Sequence, residues 1–282
     1  MKTIKVGLLF AGLSALLVWC GSLIGGGMGA VIAFGIAVAM NVATFWFSDR
    51  LILRMTSARP VGAEDAPELF QMVDRLRTRA GLPMPRLYVI DDPSPNAFAT
   101  GRSPKHAAVA VNTGLLDLLD RSEVEGVIAH ELAHIKNRDT LTMTMVACLA
   151  GAISMIANFA QISALFGGGS NDEDANPIGL LLMAMVAPIA AMLIQLGISR
   201  AREYEADRIG ADIAGTPAGL ANALLKLERG NDAIPAHAQP SVAPLYIVNP
   251  LRGGGLAALF STHPPIQERV RRLAALTTRR AA

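Results

Sequence analysis

Cysteine is almost absent: the 282 residues contain two, Cys20 and Cys148, and both fall inside apolar runs. The polar part of the chain therefore has neither a disulfide framework nor a thiolate-ligated zinc site, and a reducing compartment is permitted. An excess of charge is also missing. The formal net charge is +2 and the basic residues are spread along the chain instead of forming one stripe, which excludes the electrostatic footprint of a nucleic-acid-binding protein. No internal repeat is evident. What is abundant is apolar: 52% of residues are hydrophobic and only 17% are charged. That balance is too apolar for an ordinary soluble domain, and it predicts a membrane protein whose charges cluster in a soluble portion.

Uncharged runs of about 18 residues or more can cross the hydrocarbon core. Four occur, at Val6–Leu23, Gly29–Phe47, Leu141–Leu165 and Pro177–Ile198. Lys2 and Lys5 precede the first run in the manner of a secretory signal, but Gly25-Gly26-Gly27 leads straight into the second run with no small-residue cleavage pattern, so a retained helical hairpin is predicted. Arg50, Arg54 and Arg59 follow the second run, Lys136 and Arg138 precede the third, and Arg200, Arg202 and Arg208 follow the fourth. The two short connections inside the hairpins contain neither Lys nor Arg. Both termini and every long polar segment are therefore predicted to be cytoplasmic.

Between the hairpins, residues 48–140 read as a small α+β unit. "APELFQMVDRLRTRAG" has apolar residues at helical spacing and a glycine stop. Short runs with strand character follow at Pro85–Ile90, Asn96–Gly101 and Ala107–Asn112. Residues 199–282 read as mostly helical, with Thr216 and Pro217 opening one helix and "HPPIQERVRRLAAL" another. Asn231–Gly255, rich in Pro and Gly, reads as a loop or lid.

Chemistry concentrates in "EGVIAHELAHIKNRDTLTMTM", Glu125–Met145. Residues i and i+4 of a helix share a face, so His130 and His134 can present two imidazole nitrogens to one metal ion. Glu131 lies about 100° round the helix, where a carboxylate can take a proton from water on a zinc ion. Ser122 and Glu125 have capping-box spacing, and neither Pro nor Gly occurs from Val127 through Leu149. One helix continuing into the third run would put the metal roughly 10 Å from the hydrocarbon edge. A catalytic zinc needs a third protein ligand. "SRAREYEADRIGAD" supplies Glu203 as a candidate, with Asp207 one turn on to accept a hydrogen bond from a ligand histidine. The alternative is a solvated charged helix laced with i,i+4 pairs. His106 and His237 match no motif and read as surface histidines.

"AHELAHIKNRD", "SRAREYEAD", "NAFATG" and "LFSTHPPIQERV", in that order and with these spans around them, resemble the HtpX heat-shock zinc metalloproteases of bacterial inner membranes, distant relatives of the CAAX prenyl endopeptidases. The resemblance implies a mainly α membrane protein with a small α+β element: four transmembrane helices and a cytoplasmic zincin-like metalloprotease domain built around the HExxH helix. It implies one Zn2+ held by His130, His134 and Glu203, Glu131 as catalytic base, and Asp207 behind a ligand. His263 matches a histidine near the reacting centre, and the alternative is a helix-capping role before Pro264. Asn96, Ala97 and Phe98 resemble an edge strand along which an extended substrate adds; the alternative is that Asn96 closes the "DPSPN" turn.

The implied arrangement is a transmembrane hairpin (1–47), a catalytic region (48–140), a second hairpin (141–198) and a helical region supplying the third ligand (199–282). The implied activity is endopeptidase cleavage of misfolded or damaged membrane proteins at the cytoplasmic face. Its partners are protein substrates and the lipid bilayer, with no nucleic acid. An intramembrane protease is disfavoured because Lys136, Arg138 and Asp139 separate the motif from the third run.

Overall fold

The computed structural model describes residues 2–146, 200–233, 245–247 and 264–281. The run predicted at 177–198, the run at 141–165 from residue 147 onward, His263 and most of the 231–255 stretch lie outside them.

Helix α1 spans Lys2–Met55 and is interrupted at Gly25 (φ −132, ψ 19) and Gly26 (φ 58, ψ −143). The chain doubles back there. Asn41 Nδ2 on the second limb donates to Ser14 Oγ on the first at 2.8 Å. The second limb, Gly25–Met55, has 31 residues with an 18-residue stretch of mean hydropathy 2.0, and it is the one helix among the described residues that is long and apolar enough to cross a membrane. It continues past Phe47, where the apolar run stops, because Ile52 and Leu53 are buried in the body of the protein.

That body is a four-stranded sheet with helices on one face. The strands are β1 (Arg59–Val61), β2 (Arg86–Ile90), β3 (Ala97–Thr100) and β4 (Ala108–Asn112), in the order β1-β2-β4-β3. β2 and β4 are parallel; the two outer pairings are antiparallel. The period-two pattern sorts the side chains. Leu87, Val109, Val111, Ala97 and Ala99 face the helices. Ile90, Phe98, Ala108 and Ala110 face the other way, where Ile52, Leu53 and Leu245 cover them. The alternation in "AVAVN" thus turns valines toward the main core and alanines toward the end of α1, and the small side allows close approach of Ile52 and Leu53. Arg86 pairs with Asp49 at 2.5 Å, and Arg102 stacks on the Trp46 ring at 4.4 Å, which adds polar ties between sheet and helix.

Helices α2 (Pro67–Ala80), α4 (Arg121–Asn137), α5 (Arg200–Ala214), α6 (Ala218–Ala233) and α7 (Ile266–Ala281) form the other layer, with a short α3 at Thr113–Leu118. α4 is central and buried on nearly every side from Glu123 to Ile135, since α2, α5, α6 and β3 all pack on it. Burial of Leu76, Ile128 and Leu132 contributes about 1.5–3 kcal/mol each relative to exposure. α6 crosses α4 where a Cβ on Gly126 would strike the backbone of Leu220, so only glycine fits that crossing. Thr216 Oγ1 accepts from the Ala218 N–H at 3.3 Å, as its cap spacing predicts.

Two local expectations differ. The capping box of α4 is Asp120 with Glu123: Asp120 Oδ1 accepts from the Ser122 and Glu123 amides at 2.9 and 3.1 Å, and Glu123 accepts from the Asp120 amide at 2.9 Å. Glu125 instead reaches Arg75 at 3.4 Å. Nor does the motif helix run on into the third apolar stretch. It ends at Asn137, with Arg138 left-handed (φ 56, ψ 38), and residues 140–146 begin a new helical segment. Its first turns are tied to β3: Thr140 Oγ1 donates to the Gly101 carbonyl at 2.8 Å, and the Thr144 and Thr100 hydroxyls lie 2.9 Å apart. The straight-helix height above the membrane therefore does not apply.

Candidate metal centre

α4 and α5 build the site by crossing at close range. A Cβ on Gly210 would lie 3.0 Å from the backbone N and Cα of His130, so glycine is what lets α5 settle directly against the first motif histidine. Ala129, Ala133 and Ala206 keep the rest of the contact thin. With the axes this close, Glu203 comes to face the histidine pair. Gly210→Val is expected to lower stability by about 1–3 kcal/mol through overpacking and to weaken metal uptake, read by thermal unfolding and metal analysis.

His130 and His134 stand with rings nearly perpendicular, at 86°, and their Nε2 atoms 3.2 Å apart. Glu203 Oε2 lies 3.7 Å from His130 Nε2, and Oε1 lies 3.7 Å from His134 Nε2. One donor atom from each of the three residues falls within 4.8 Å of the others, and all three residues are buried, so the group could hold a metal ion. Three mutually convergent donors in an apolar interior are not what a solvated charged helix provides.

Behind them are further charges. Asp207 Oδ1 lies 3.0 Å from His130 Nδ1, and both Asp207 oxygens accept from Arg269, at 2.9 and 2.6 Å. Arg269 is fully buried, and it also donates to the Ile247 carbonyl at 3.3 Å. Burial by itself would raise the Asp207 pKa, but the Arg269 charge and its hydrogen bonds hold it down at about 2. Burial lowers the His130 pKa, whereas for His134 burial is outweighed by Glu203, Asp139 and Glu131 acting together and the net direction is upward. Glu131 is buried against the edge of the sheet, where its Oε2 accepts from the Ala99 amide at 2.7 Å. Burial is the main reason its pKa is raised to about 7.

The structure thus brings together His130, Glu131, His134, Glu203 and Asp207. Ala97 and Phe98 lie in β3 beside Glu131, but the Phe98 ring belongs to the opposite cluster with Ile52 and Leu53. Asn96 does not close the "DPSPN" turn. Asp92 does so, accepting from the Ser94 amide at 2.7 Å, with Asn112 Nδ2 donating to the Ser94 carbonyl at 2.9 Å. Asn96 Oδ1 instead accepts from the Ile247 amide at 3.1 Å, with the residue 1% exposed. Arg269 is the site residue that sequence reading passes over. Its signal is positional: it lies on the stripe of Ile266, Val270 and Leu273, where an apolar residue is expected.

Residues 63–277 match the family model described as peptidase family M48. A protease HtpX homolog of Pelotomaculum thermopropionicum is 56% identical over 279 residues, covering 98% of this chain and 99% of its own. One from Desulfatibacillum aliphaticivorans is 51% identical over 96% of this chain and 88% of its own, and one from Burkholderia ambifaria is 53% identical over 96% and 95%. The crystal structure of S. mikatae Ste24p is a distant likeness, at TM-score 0.49 and 17% identity over 97% of this chain and 63% of that one. An HExxH helix crossed by a carboxylate-bearing helix, together with near full-length identity to these proteases, places the chain in peptidase family M48 among the HtpX homologues, and it is a metallopeptidase.

Proposed function

We propose that this chain is a zinc-dependent endopeptidase embedded in the bacterial inner membrane, with several spans, its termini and active site on the cytoplasmic side, and misfolded or damaged membrane proteins as substrates. The observation that carries the reading is the convergence of His130, His134 and Glu203. Around a tetrahedral zinc with ligands at 2.0–2.1 Å, neighbouring donors stand roughly 3.3 Å apart. The two Nε2 atoms stand 3.2 Å apart and each lies 3.7 Å from a different Glu203 oxygen, and one donor from each residue falls within 4.8 Å of the others, a set close to that spacing. Two imidazoles and one carboxylate leave a tetrahedral position open, as hydrolytic sites require.

When bound, the ion supplies Lewis acidity, polarising the scissile carbonyl and acidifying a water. Glu131 takes the proton from the attacking water and passes it to the leaving amine. Strand β3 orients the substrate. Asn112 donates to the Asn96 carbonyl at 2.9 Å, so alternate residues 96, 98 and 100 bond to β4 while Ala97 and Ala99 turn toward the outer edge, where the Ala99 amide holds Glu131 and the Ala97 main chain and the Ala99 carbonyl face a peptide. An extended peptide lying antiparallel there forms backbone hydrogen bonds with little demand on its sequence. The apolar Gly25–Met55 helix, continuous with the body through Ile52, supports a site held close to the bilayer.

The test is purification in detergent with metal quantification alongside cleavage of an unfolded substrate, with and without chelator. One zinc per chain, and cleavage lost to chelator and restored by zinc, is the expected result. Cleavage indifferent to metal removal would sink the proposal.

A further inference from the structure

We propose that Asp139 is the positioning carboxylate of His134, serving the second imidazole as Asp207 serves the first; this rests on the zinc-protease reading above. In sequence Asp139 is one of three charges that set the motif apart from the next apolar run. In the structure Lys136 and Arg138 are exposed, whereas Asp139 is 1% exposed.

The turn that ends α4 makes the difference. The Arg138 amide donates to the Ile135 carbonyl at 3.0 Å, and the Asp139 amide donates to the carbonyl of His134 itself at 2.9 Å. With Arg138 left-handed, the chain reverses under the last helical turn. This brings Asp139 Oδ2 to 3.6 Å from His134 Nδ1, on the side of the ring away from Glu203. At that separation the contact is electrostatic. A carboxylate facing Nδ1 keeps the ring proton there and leaves the Nε2 lone pair aimed at the ion, which fixes both tautomer and ring orientation.

A buried carboxylate also needs a counter-charge, and Arg202 provides one. It precedes Glu203 on α5, and its charge acts on both Asp139 and Glu203. Each ligand then has a carboxylate and an arginine behind it: His130–Asp207–Arg269, joined by short hydrogen bonds, and His134–Asp139–Arg202, joined by charge at longer range. The first is completed from α5 and α7, the second from the α4 turn and α5.

Asp139→Asn keeps the shape and the turn while removing the charge. Zinc affinity, measured by competition with a chromogenic chelator on the purified full chain, is expected to fall about 10–100-fold, the usual effect of losing an outer partner of a ligand histidine. Asp139→Glu, which keeps a carboxylate facing the ring, is expected to recover most of it. A merely structural residue would shift the unfolding temperature of the metal-free protein without a change in affinity at low temperature. Wild-type affinity in Asp139→Asn, in a protein whose parent takes up one zinc, overturns the inference and leaves the protease reading standing. If the parent takes up none, both fall. Asp139→Ser, equally uncharged and smaller, replaces the Asn variant if that one does not accumulate, with the same outcomes.

Discussion

Glu131→Gln is expected to leave zinc content unchanged and to slow cleavage of an unfolded substrate by about 10²–10⁴-fold, the usual contribution of a positioned general acid–base. Gln has the same size, and its carbonyl oxygen can still accept from the Ala99 amide that Glu131 Oε2 engages at 2.7 Å, so the fold and the ligand pair are undisturbed. What disappears is the proton acceptor. Burial raises the Glu131 pKa to about 7, so near neutrality both its protonated and ionised forms are accessible, as a group that first takes a proton and then returns it requires. Turnover by Glu131→Gln equal to the parent, with equal zinc content, would refute the role.

Arg269→Met carries the largest expected loss of stability, about 3–5 kcal/mol, because it leaves the Asp207 carboxylate buried with its counter-charge gone. Asp207 is 3% exposed and Arg269 0%, so water does not reach the pair to compensate. The Ile247 carbonyl loses a donor as well. Thermal unfolding of the metal-free protein is the measurement. The double change Arg269→Met with Asp207→Asn is expected to recover part of the loss, since an uncharged pair escapes most of the desolvation penalty. A single variant as stable as the parent would show that the pair has no such weight.

Much of this architecture was legible where one rule dominates. Alternation placed β2, β3 and β4 within a residue or two, and the 3.6-residue period with its glycine stop placed α2. The i,i+4 histidines and the Glu203–Asp207 pair followed from helix geometry alone. β1 was missed because it is three residues long with Pro60 at its centre, a composition tolerated only at a sheet edge. The cap of α4 was misplaced by two residues because Asp120 and Glu123 overlap Ser122 and Glu125 at identical spacing, and only the structure shows that Ser122 Oγ is spent donating to Asp120 at 2.8 Å. The break at Arg138 carries no local signal: neither glycine nor proline marks it, and the conformation is held by packing around Asp139 and the 140–146 segment. Arg269 was readable as a charge on an apolar stripe, but its partner Asp207 is 62 residues away and no pattern joins the two.

Strand β3 has almost no freedom of its own. Phe98 is wedged against Ile52 and Leu53 where the apolar helix enters the body, and Thr100 and Gly101 are hydrogen-bonded to Thr144 and Thr140 at the mouth of the next apolar stretch. Held at both ends in this way, β3 passes any displacement of the end of α1 or of residues 140–144 on to the Ala99 amide, and through it to the Glu131 carboxylate.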